Sequence, residues 1–289
     1  MRLALGTAQF GFAYGIANAG GQIDRDEARA IISRAWAAGI DTMDTAIAYG
    51  QSEQRLGEVG VHAWHVVSKL PALPNDCTDI SSWVNASVEG SLARLKVGRL
   101  RGLLLHRPQQ LLGPQGKALH HALVQLKDSG KVEKIGISIY GPDELDELWP
   151  HYQFDLVQGP FNVFDRRLAV SGWLPRLHGE GVEIHVRSVF LQGLLLATPG
   201  TPPVGFDRWA PLWSAWQTWL RDAGLTPLQA SLGHALSFPE ISRVIVGVDS
   251  LRQLNEILHA ASLGALSAPD FLASDDPDLL NPARWPTFL

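Results

Sequence analysis

Four polar side chains in this chain have types and spacings that suit proton transfer. They are Asp44, Tyr49, Lys69 and His106. Asp44 and Tyr49 lie in the stretch DTMDTAIAYG, and Lys69 and His106 each lie at the end of a short apolar run. A tyrosine with an ordinary pKa of about 10 is a poor acid near neutral pH. We expect the Lys69 ammonium to lower that pKa, and Asp44 to keep the lysine charged and oriented.

The chemistry open to these groups is the reduction of a carbonyl. Neutral His106 could position a carbonyl oxygen by donating a hydrogen bond to it, and Tyr49 could deliver a proton as that oxygen gains negative charge. The reaction also needs a hydride, which no side chain supplies, so a nicotinamide cofactor is expected. Each residue alone is more often structural than catalytic, and it is the set of four that favours catalysis.

Eight short apolar runs, alternating with helical patterns, must position these side chains. Runs that are apolar on both faces and end at glycine, proline or polar residues are typical of strands in a buried parallel sheet. The predicted strands span residues 2–7, 40–45, 65–70, 101–106, 133–138, 154–159, 183–188 and 243–248. Eight strands followed by helices predict a single-domain (β/α)8 barrel over residues 1–289, with a doubly wound open sheet as the alternative. Barrel chemistry lies at the C-terminal ends of strands, where Asp44, Lys69 and His106 fall.

Helix signals between the strands can be read at several points. Asp24 is predicted to cap a helix, with Glu27 completing a capping box and Gly39 ending it. A tryptophan-rich segment, 208–224, predicts an extra helix between strands seven and eight. Its tryptophans fall on one face and are expected to pack in a core. The aromatic residues Phe10, Phe12 and Tyr14 of the first loop could either pack or form a substrate wall.

Composition excludes several classes of partner. The chain has 289 residues, 46% hydrophobic and 18% charged, which describes a soluble globular protein. A net charge of -5 without a basic run argues against nucleic acid or an anionic membrane. One cysteine, Cys77, and no signal or membrane-spanning segment predict a cytoplasmic protein. His62 and His65 lack a third ligand, so no metal is expected. The oligomeric state is left open.

A family resemblance runs through nearly the whole chain. The segments LGTAQFG, DTAIAYGQSEQRLGE, SKL, LLLHRP, KIGIS, VQGPFN and VIVGVDSLRQLNEIL resemble, in order, the signatures of the aldo-keto reductases. The resemblance implies an NAD(P)H-dependent reductase of a small aldehyde or ketone, with a sugar-like carbonyl as one option. Tyr49 would be its proton donor. Strand one begins at Arg2, so the N-terminal hairpin of many members is expected to be missing.

The resemblance also implies a cofactor site, although neither a dinucleotide-binding nor a P-loop glycine motif is present. The nicotinamide would lie across the barrel mouth, over Gly6 and Thr7, with Ser138 and Gln158 bonding its carboxamide. Ile139 replaces the asparagine usual after that serine. The full set of implied positions is Gly6, Thr7, Ser138, Gln158, Arg187, Ser188, Phe190, Gln192, Gly247, Asp249, Ser250 and Gln253.

Arg187 departs from the family pattern, because many members have a tyrosine there that stacks on the nicotinamide. A planar guanidinium can also stack on a ring. Arg187 could disfavour the positively charged oxidised ring, reach an anionic group on the substrate, or pair with a nearby carboxylate.

The adenosine end departs as well. Gly247, Val248 and Gln253 occupy positions that are often Lys, Ser and Arg in NADP-preferring members, and Asp249 adds a negative charge. The N-terminus of the helix near Ser250 still offers backbone donors for phosphate, although these residues could simply cap the helix. NADP(H) is favoured, with NAD(H) open.

Two other classes of function remain as alternatives. One is a regulatory subunit that senses nucleotides, since some proteins similar to aldo-keto reductases are channel partners. The other is a lyase or isomerase on the same barrel, which would consume no hydride.

Overall fold

The computed structural model describes residues 1–13, 15, 21–197 and 205–287. The described residues form eight parallel strands that close into a barrel, each strand pairing with its neighbours in chain order and β8 pairing with β1. The strands are β1 (Leu3–Gly6), β2 (Thr42–Asp44), β3 (His65–Leu70), β4 (Leu100–Leu105), β5 (Val132–Ser138), β6 (Leu156–Pro160), β7 (Glu183–Arg187) and β8 (Arg243–Gly247). The predicted (β/α)8 barrel is confirmed, and the open sheet is excluded.

Strand positions agree with the sequence to within two residues at each end. The strands are buried almost throughout, because side chains on one face fill the barrel and those on the other pack against helices. Closure is set by the β1–β8 register, in which Leu3 is opposite Val244 and Gly6 is opposite Gly247.

Helices surround the barrel. The α-helices of the described residues are α1 (Ala8–Gly11), α2 (Arg25–Ala37), α3 (Ser52–Val59), α4 (Ile80–Leu95), α5 (Gly116–Asp128), α6 (Asp143–Leu148), α7 (Arg167–Val170), α8 (Trp173–Gly179), α9 (Ala210–Ala223), α10 (Pro227–Leu236), α11 (Leu251–Ser262) and α12 (Pro277–Leu280). Short 3-10 turns span Pro108–Leu112, Leu191–Leu196, Asp207–Trp209, Asp270–Leu272 and Pro282–Thr287. The extra helix between β7 and β8 is confirmed as α9. Within the described ranges, none of these helices is long and apolar enough to cross a membrane.

The capping box predicted at the start of α2 is wrong. The Asp24 carboxylate does cap the helix, accepting from the backbone N–H groups of Asp26 and Glu27 at 2.9 Å. The Glu27 carboxylate, however, accepts from the backbone N–H of Leu251 at 2.6 Å. Glu27 therefore links α2 to the first turn of α11, a tertiary contact that competes with the local one. A complete capping box is present at Thr226, where α10 begins.

A second hydrophobic cluster lies beside the main core. Trp209, Trp213 and Trp216 of the α9 region are buried in it, as predicted, together with Leu191 and Leu194 from the segment after β7. This cluster supports the segment that follows β7. Phe10 is fully buried, whereas Phe12 is half-buried beside the Tyr49 ring, at 6.0 Å between centroids. Tyr14 lies outside the described residues.

Candidate active site

The structure brings together the four side chains predicted to transfer protons. Asp44 is the last residue of β2 and Lys69 lies in β3, so neighbouring strands place them side by side. Lys69 Nζ donates to Asp44 Oδ2 at 2.7 Å and to the Thr45 carbonyl at 2.9 Å. The same Nζ is 5.0 Å from the centroid of the Tyr49 ring. His106 follows β4, and its ring is 6.0 Å from that of Tyr49 at an interplanar angle of 76°.

Close backbone packing holds the loop that carries Tyr49. A Cβ atom added to Gly11 would overlap the carbonyl oxygen of Tyr49, so the α1 segment and this loop touch backbone to backbone. Gly50 has φ +52°, a left-handed conformation that glycine adopts without strain. Ser52 Oγ donates to the Thr7 carbonyl at 2.8 Å, which ties the loop to the end of β1. These contacts fix the backbone on both sides of the phenol.

The Asp44 carboxylate has partners on both oxygens. Its Oδ1 accepts from Gln158 Nε2 at 2.6 Å, while Oδ2 accepts from Lys69. Gln158 Oε1 in turn accepts from Ser138 Oγ at 3.2 Å. Ser138 and Gln158 are almost completely buried, at 3% and 0% exposed. In this structure the two residues that the sequence assigns to the nicotinamide carboxamide support Asp44.

Burial and charge keep both proton-handling groups neutral. Burial lowers the pKa of His106 to about 4, helped by the charges of Lys69 and Arg187, so the imidazole is neutral near pH 7 as expected. Burial, followed by the negative charge of Asp44, raises the pKa of Tyr49, and Arg187 opposes the rise. The predicted lowering of this pKa is wrong, because burial and then the Asp44 charge raise it. The phenol therefore remains protonated.

A cavity of about 500 Å³ extends from Asp44 and Tyr49 across the barrel mouth to α11. Nine positions that the resemblance assigns to the cofactor line it: Gly6, Thr7, Arg187, Ser188, Phe190, Gln192, Gly247, Asp249 and Gln253. Ser138, Gln158 and Ser250 are not among its lining residues. Ser250 Oγ caps α11 by accepting from the Gln253 N–H at 3.3 Å.

The segment after β7 forms one wall of this cavity in an unusual backbone conformation. Ser188, Leu191 and Gln192 have φ values of 61°, 47° and 57°, in the left-handed region that non-glycine residues rarely adopt. Such conformations cost on the order of 1 kcal/mol each and persist only where packing imposes them. The buried Leu191 and Leu194 provide that packing through the second hydrophobic cluster.

Some lining residues were not identified from the sequence. Gln9 contributes its amide, and a Cβ added at Gly247 would lie only 2.6 Å from Gln9 Nε2. Gln9 falls in the LGTAQFG segment, two residues after Thr7, so its position in that segment could have identified it as a lining residue. Tyr140, just after β5, was also missed; it is not a lining residue but lies under the Arg187 guanidinium at 4.9 Å. Nothing in the local sequence distinguishes it from a packing residue.

The first turn of α11 already uses several of its backbone donors. Leu251 N–H bonds Glu27, Gln253 N–H bonds Ser250, and Asp249 N–H bonds Gln253 Oε1 at 2.7 Å. The expectation that this turn offers free donors to a phosphate is therefore wrong for those three groups. Arg252 also lines the cavity, with its side chain 82% exposed and 3.6 Å from the Glu256 carboxylate. No group of three or more His, Cys, Asp or Glu residues with a metal-binding arrangement occurs in the part of the chain that the structure describes.

A sequence model of the Aldo/keto reductase family matches residues 2–276. The chain belongs to this family. As an aldo-keto reductase it is an oxidoreductase, and the family uses nicotinamide cofactors. The order of its motifs, its closed barrel and the Asp44, Tyr49, Lys69 and His106 side chains at one rim agree with that membership.

Individual relatives are distant. An uncharacterized oxidoreductase, YqkF of Bacillus subtilis, is 24% identical over 86% of this chain and 87% of its own length. The L-galactose dehydrogenase of Arabidopsis thaliana is 27% identical over 92% of this aldo-keto reductase and 89% of its own length. The holo form of aldo-keto reductase AKR11C1 from Bacillus halodurans superimposes with a TM-score of 0.73 at 21% identity, over 92% of this chain and 88% of that one. This structural likeness shows the shared barrel.

Proposed function

We propose that this aldo-keto reductase reduces an aldehyde or ketone to an alcohol with NAD(P)H, using Tyr49 as the proton donor. The observation that carries the proposal is the Asp44–Lys69 ion pair at 2.7 Å beside the Tyr49 ring, at one end of the cavity that reaches α11. Sugar-like carbonyl compounds are one candidate class, since one of the relatives is an L-galactose dehydrogenase.

The lining residues fit a dinucleotide. Gly6 leaves room at the end of β1, where an added Cβ would lie 3.1 Å from Ile245, and Gly247 leaves room at the end of β8. The nicotinamide would be held near Gly6 and Thr7, and the rest of the dinucleotide between the segment after β7 and α11. When bound, this cofactor supplies the hydride.

The chain's own residues supply the proton and the electrostatics. Neutral His106 donates a ring N–H to the substrate carbonyl oxygen and so orients it. Tyr49 then transfers its phenolic proton to the oxygen as negative charge develops there. The phenolate left behind has the Lys69 ammonium 5.0 Å from its ring centroid, where Asp44 and the Thr45 carbonyl hold it in place. Gln158 keeps Asp44 oriented from its other oxygen.

The proton-donor role is tested by Tyr49→Phe. Loss of general acid catalysis should lower kcat at least a hundredfold, while the dissociation constant for the reduced cofactor changes little. Cofactor fluorescence titration and steady-state oxidation with a panel of nitrobenzaldehydes measure the two quantities. Tyr152→Phe is the matched control, because its hydroxyl bonds the Leu111 carbonyl away from the barrel mouth. Aldehyde reduction by Tyr49→Phe at the parent rate would refute the assignment.

The same panel separates the alternatives. Tight cofactor binding by the parent protein without turnover of any carbonyl would favour the regulatory, nucleotide-sensing function. Product formation without oxidation of the cofactor would favour a lyase or isomerase.

Charge at the adenosine end guides the choice of cofactor. The sequence favours NADP(H), but the described surroundings include Asp249 and Glu256 in the cavity wall and Glu27 of α2, which is hydrogen-bonded to the first turn of α11. Arg252 is the lining cation there, and it already pairs with Glu256. Carboxylates suit the ribose hydroxyl of NAD(H) and repel the additional phosphate of NADP(H). We therefore propose NAD(H) as the better ligand, with NADP(H) second.

Parallel titrations with NADH and NADPH test this choice. Glu256→Gln frees Arg252 and should tighten NADPH binding several-fold relative to NADH. Glu240→Gln, on a residue outside the cavity lining, is the control. If the parent protein binds NADPH more tightly than NADH, the proposal is wrong and NADP(H) is the preferred cofactor.

A further inference from the structure

Arg187 extends away from the nucleotide end of the cavity. It is the last residue of β7, and its Nη2 donates to the Ile139 carbonyl just after β5 at 2.9 Å. Its guanidinium also lies over the Tyr140 ring, 4.9 Å from the centroid. In the barrel β6 lies between β5 and β7, so the arginine reaches across the end of β6. The charged group is thus on the side of the mouth where β4 and β5 end, with His106, and not beside β8 and α11.

The guanidinium keeps unused donors. It has five N–H groups, and its hydrogen bonds to the described residues, which go to Ile139 O and Ser188 Oγ, engage two of them. Within the described ranges, no carboxylate lies at ion-pair distance from it. Glu144 accepts from the backbone N–H groups of Tyr140 and Gly141 and from the Gln109 amide.

The charges around the reaction centre do not cancel. The Lys69 ammonium is compensated by Asp44, and His106 is neutral. Arg187 adds a further positive charge, which acts on Glu144 by lowering the pKa of that carboxyl against the effect of burial but forms no ion pair with a described carboxylate. Arg107, exposed and next to His106, adds to the positive field, since it too lowers the pKa of His106. A half-buried cation that lacks a counter-ion is costly unless a ligand supplies one.

We propose that Arg187 binds a carboxylate on the substrate, so that the preferred substrates are oxo acids, meaning aldehydes or ketones that carry a carboxylate. This inference rests on the proposed function, because it takes the reacting carbonyl to lie at Tyr49 and His106. The planar fork of arginine matches a carboxylate through two parallel N–H donors. A phosphate dianion fits less well, since Lys69 is committed to Asp44 and the second charge would have to rely on the exposed Arg107.

The experiment compares each acid with its methyl ester. Phenylglyoxylate, 4-oxobutanoate and 4-carboxybenzaldehyde place the carboxylate at increasing distances from the carbonyl. For at least one pair, kcat/KM of the acid should exceed that of the ester about tenfold to a hundredfold, as expected for a charge-assisted bidentate contact. Arg187→Gln should abolish the preference, and Arg187→Lys should retain part of it. Melting temperatures and NADH affinity of both variants report whether they are folded.

Arg107→Gln is the matched control, because it removes one exposed positive charge near His106 and should keep the acid-to-ester ratio within about threefold. If the parent protein reduces the esters as efficiently as all three acids, the inference is overturned, although carbonyl reduction itself stands. An acid preference that survives in Arg187→Gln would also overturn it. The inference would also be overturned if Arg187→Gln kept the acid preference and changed only the relative affinity for oxidised and reduced cofactor. That result would assign Arg187 to the nicotinamide. Absence of turnover with every acid and ester would instead refute the proposed function.

Discussion

At the scale of single residues, the position of Tyr49 depends on the absence of a side chain at Gly11. Gly11 packs its Cα against the Tyr49 carbonyl so closely that any Cβ would overlap it. The Tyr49 backbone is also held by Ser52, whose N–H donates to the Tyr49 carbonyl at 2.9 Å. Displacing this carbonyl would move the phenol relative to Lys69 and His106.

Gly11→Ala should therefore impair catalysis more than cofactor binding. A displacement of about 1 Å can cost as much as a hundredfold in rate, so we expect kcat to fall at least tenfold. Steady-state kinetics and cofactor titration measure the two effects. Gly98→Ala is the control, because an added Cβ there meets nothing within 4 Å. Parent-like kcat in Gly11→Ala would show that the loop adapts without moving the hydroxyl.

Residue types and their places at strand ends were enough to predict the Asp44, Tyr49, Lys69 and His106 set. Their ionisation was only partly predictable. Neutral His106 followed from its chemistry, but the raised pKa of Tyr49 depends on burial and on the nearby charge of Asp44. Burial and the effect of that charge depend on distances between strands, which no local sequence pattern encodes. The same holds for Gln158, whose bond to Asp44 spans the barrel.

At the scale of elements, α3 is anchored at its start by a buried carboxylate. Glu53, 2% exposed, accepts from Ser68 Oγ and Ser91 Oγ at 2.6 Å each. Arg94 adds two further donors to it, at 2.9 and 2.7 Å. Ser68 precedes Lys69 in β3, so Glu53 joins the helix that follows Tyr49 to the strand that carries Lys69.

Glu53→Gln should loosen this junction. An amide keeps the shape but loses the charge, and its NH₂ group cannot accept a hydrogen bond. We expect the free energy of unfolding to fall by about 2 kcal/mol, with a smaller loss in kcat/KM. Urea denaturation measures the first quantity. Glu58→Gln, on an exposed residue of the same helix, is the control. Equal stability of the two variants would contradict the anchoring role.

The elements themselves were largely predictable, because each strand is a short apolar run between helical patterns. The predictions that failed were those that inferred hydrogen bonds at the ends of elements from local sequence spacing alone. Glu27 has the right spacing for a capping box at Asp24, yet it bonds Leu251, since α2 and α11 are neighbours around the barrel. The left-handed backbone at Gln192 likewise follows from packing beneath the segment after β7.

At the scale of the whole molecule, the two ends of the barrel carry different charge arrangements. The mouth has the compensated Asp44–Lys69 pair and Arg187, which forms no ion pair with a described carboxylate. At the opposite end, Glu183 accepts from Arg101 at 2.9 Å and Lys134 at 2.6 Å, and pairs with His185 at 2.8 Å. Burial raises the pKa of Glu183, but the contacts with His185 and Lys134 outweigh burial and lower the pKa well below its usual value. The arrangement around Glu183 makes folding depend on pH.

Acidification should destabilise the fold in two stages. Burial lowers the pKa of His106 to about 4 and that of His234 to about 3, with Arg166 adding to the effect on His234. Unfolded histidine, with a pKa of about 6.5, binds a proton in this range that the folded form excludes, so stability is lost as pH falls below about 6.5. Glu183 has the depressed pKa of a paired carboxylate, so its contribution is lost only below about pH 4.5.

The first stage can be isolated with His234→Asn. Between pH 6.5 and 4.5 the parent should lose on the order of 2 kcal/mol per buried histidine, because one pKa unit corresponds to about 1.4 kcal/mol. His234→Asn removes one of the two groups and should make the free energy of unfolding fall less steeply with pH, whatever its absolute stability. Urea titrations at several pH values give that slope. His259→Asn changes an exposed histidine and should keep the parent slope. If His234→Asn has the same slope as the parent, the neutral buried imidazole is not a source of the acid sensitivity.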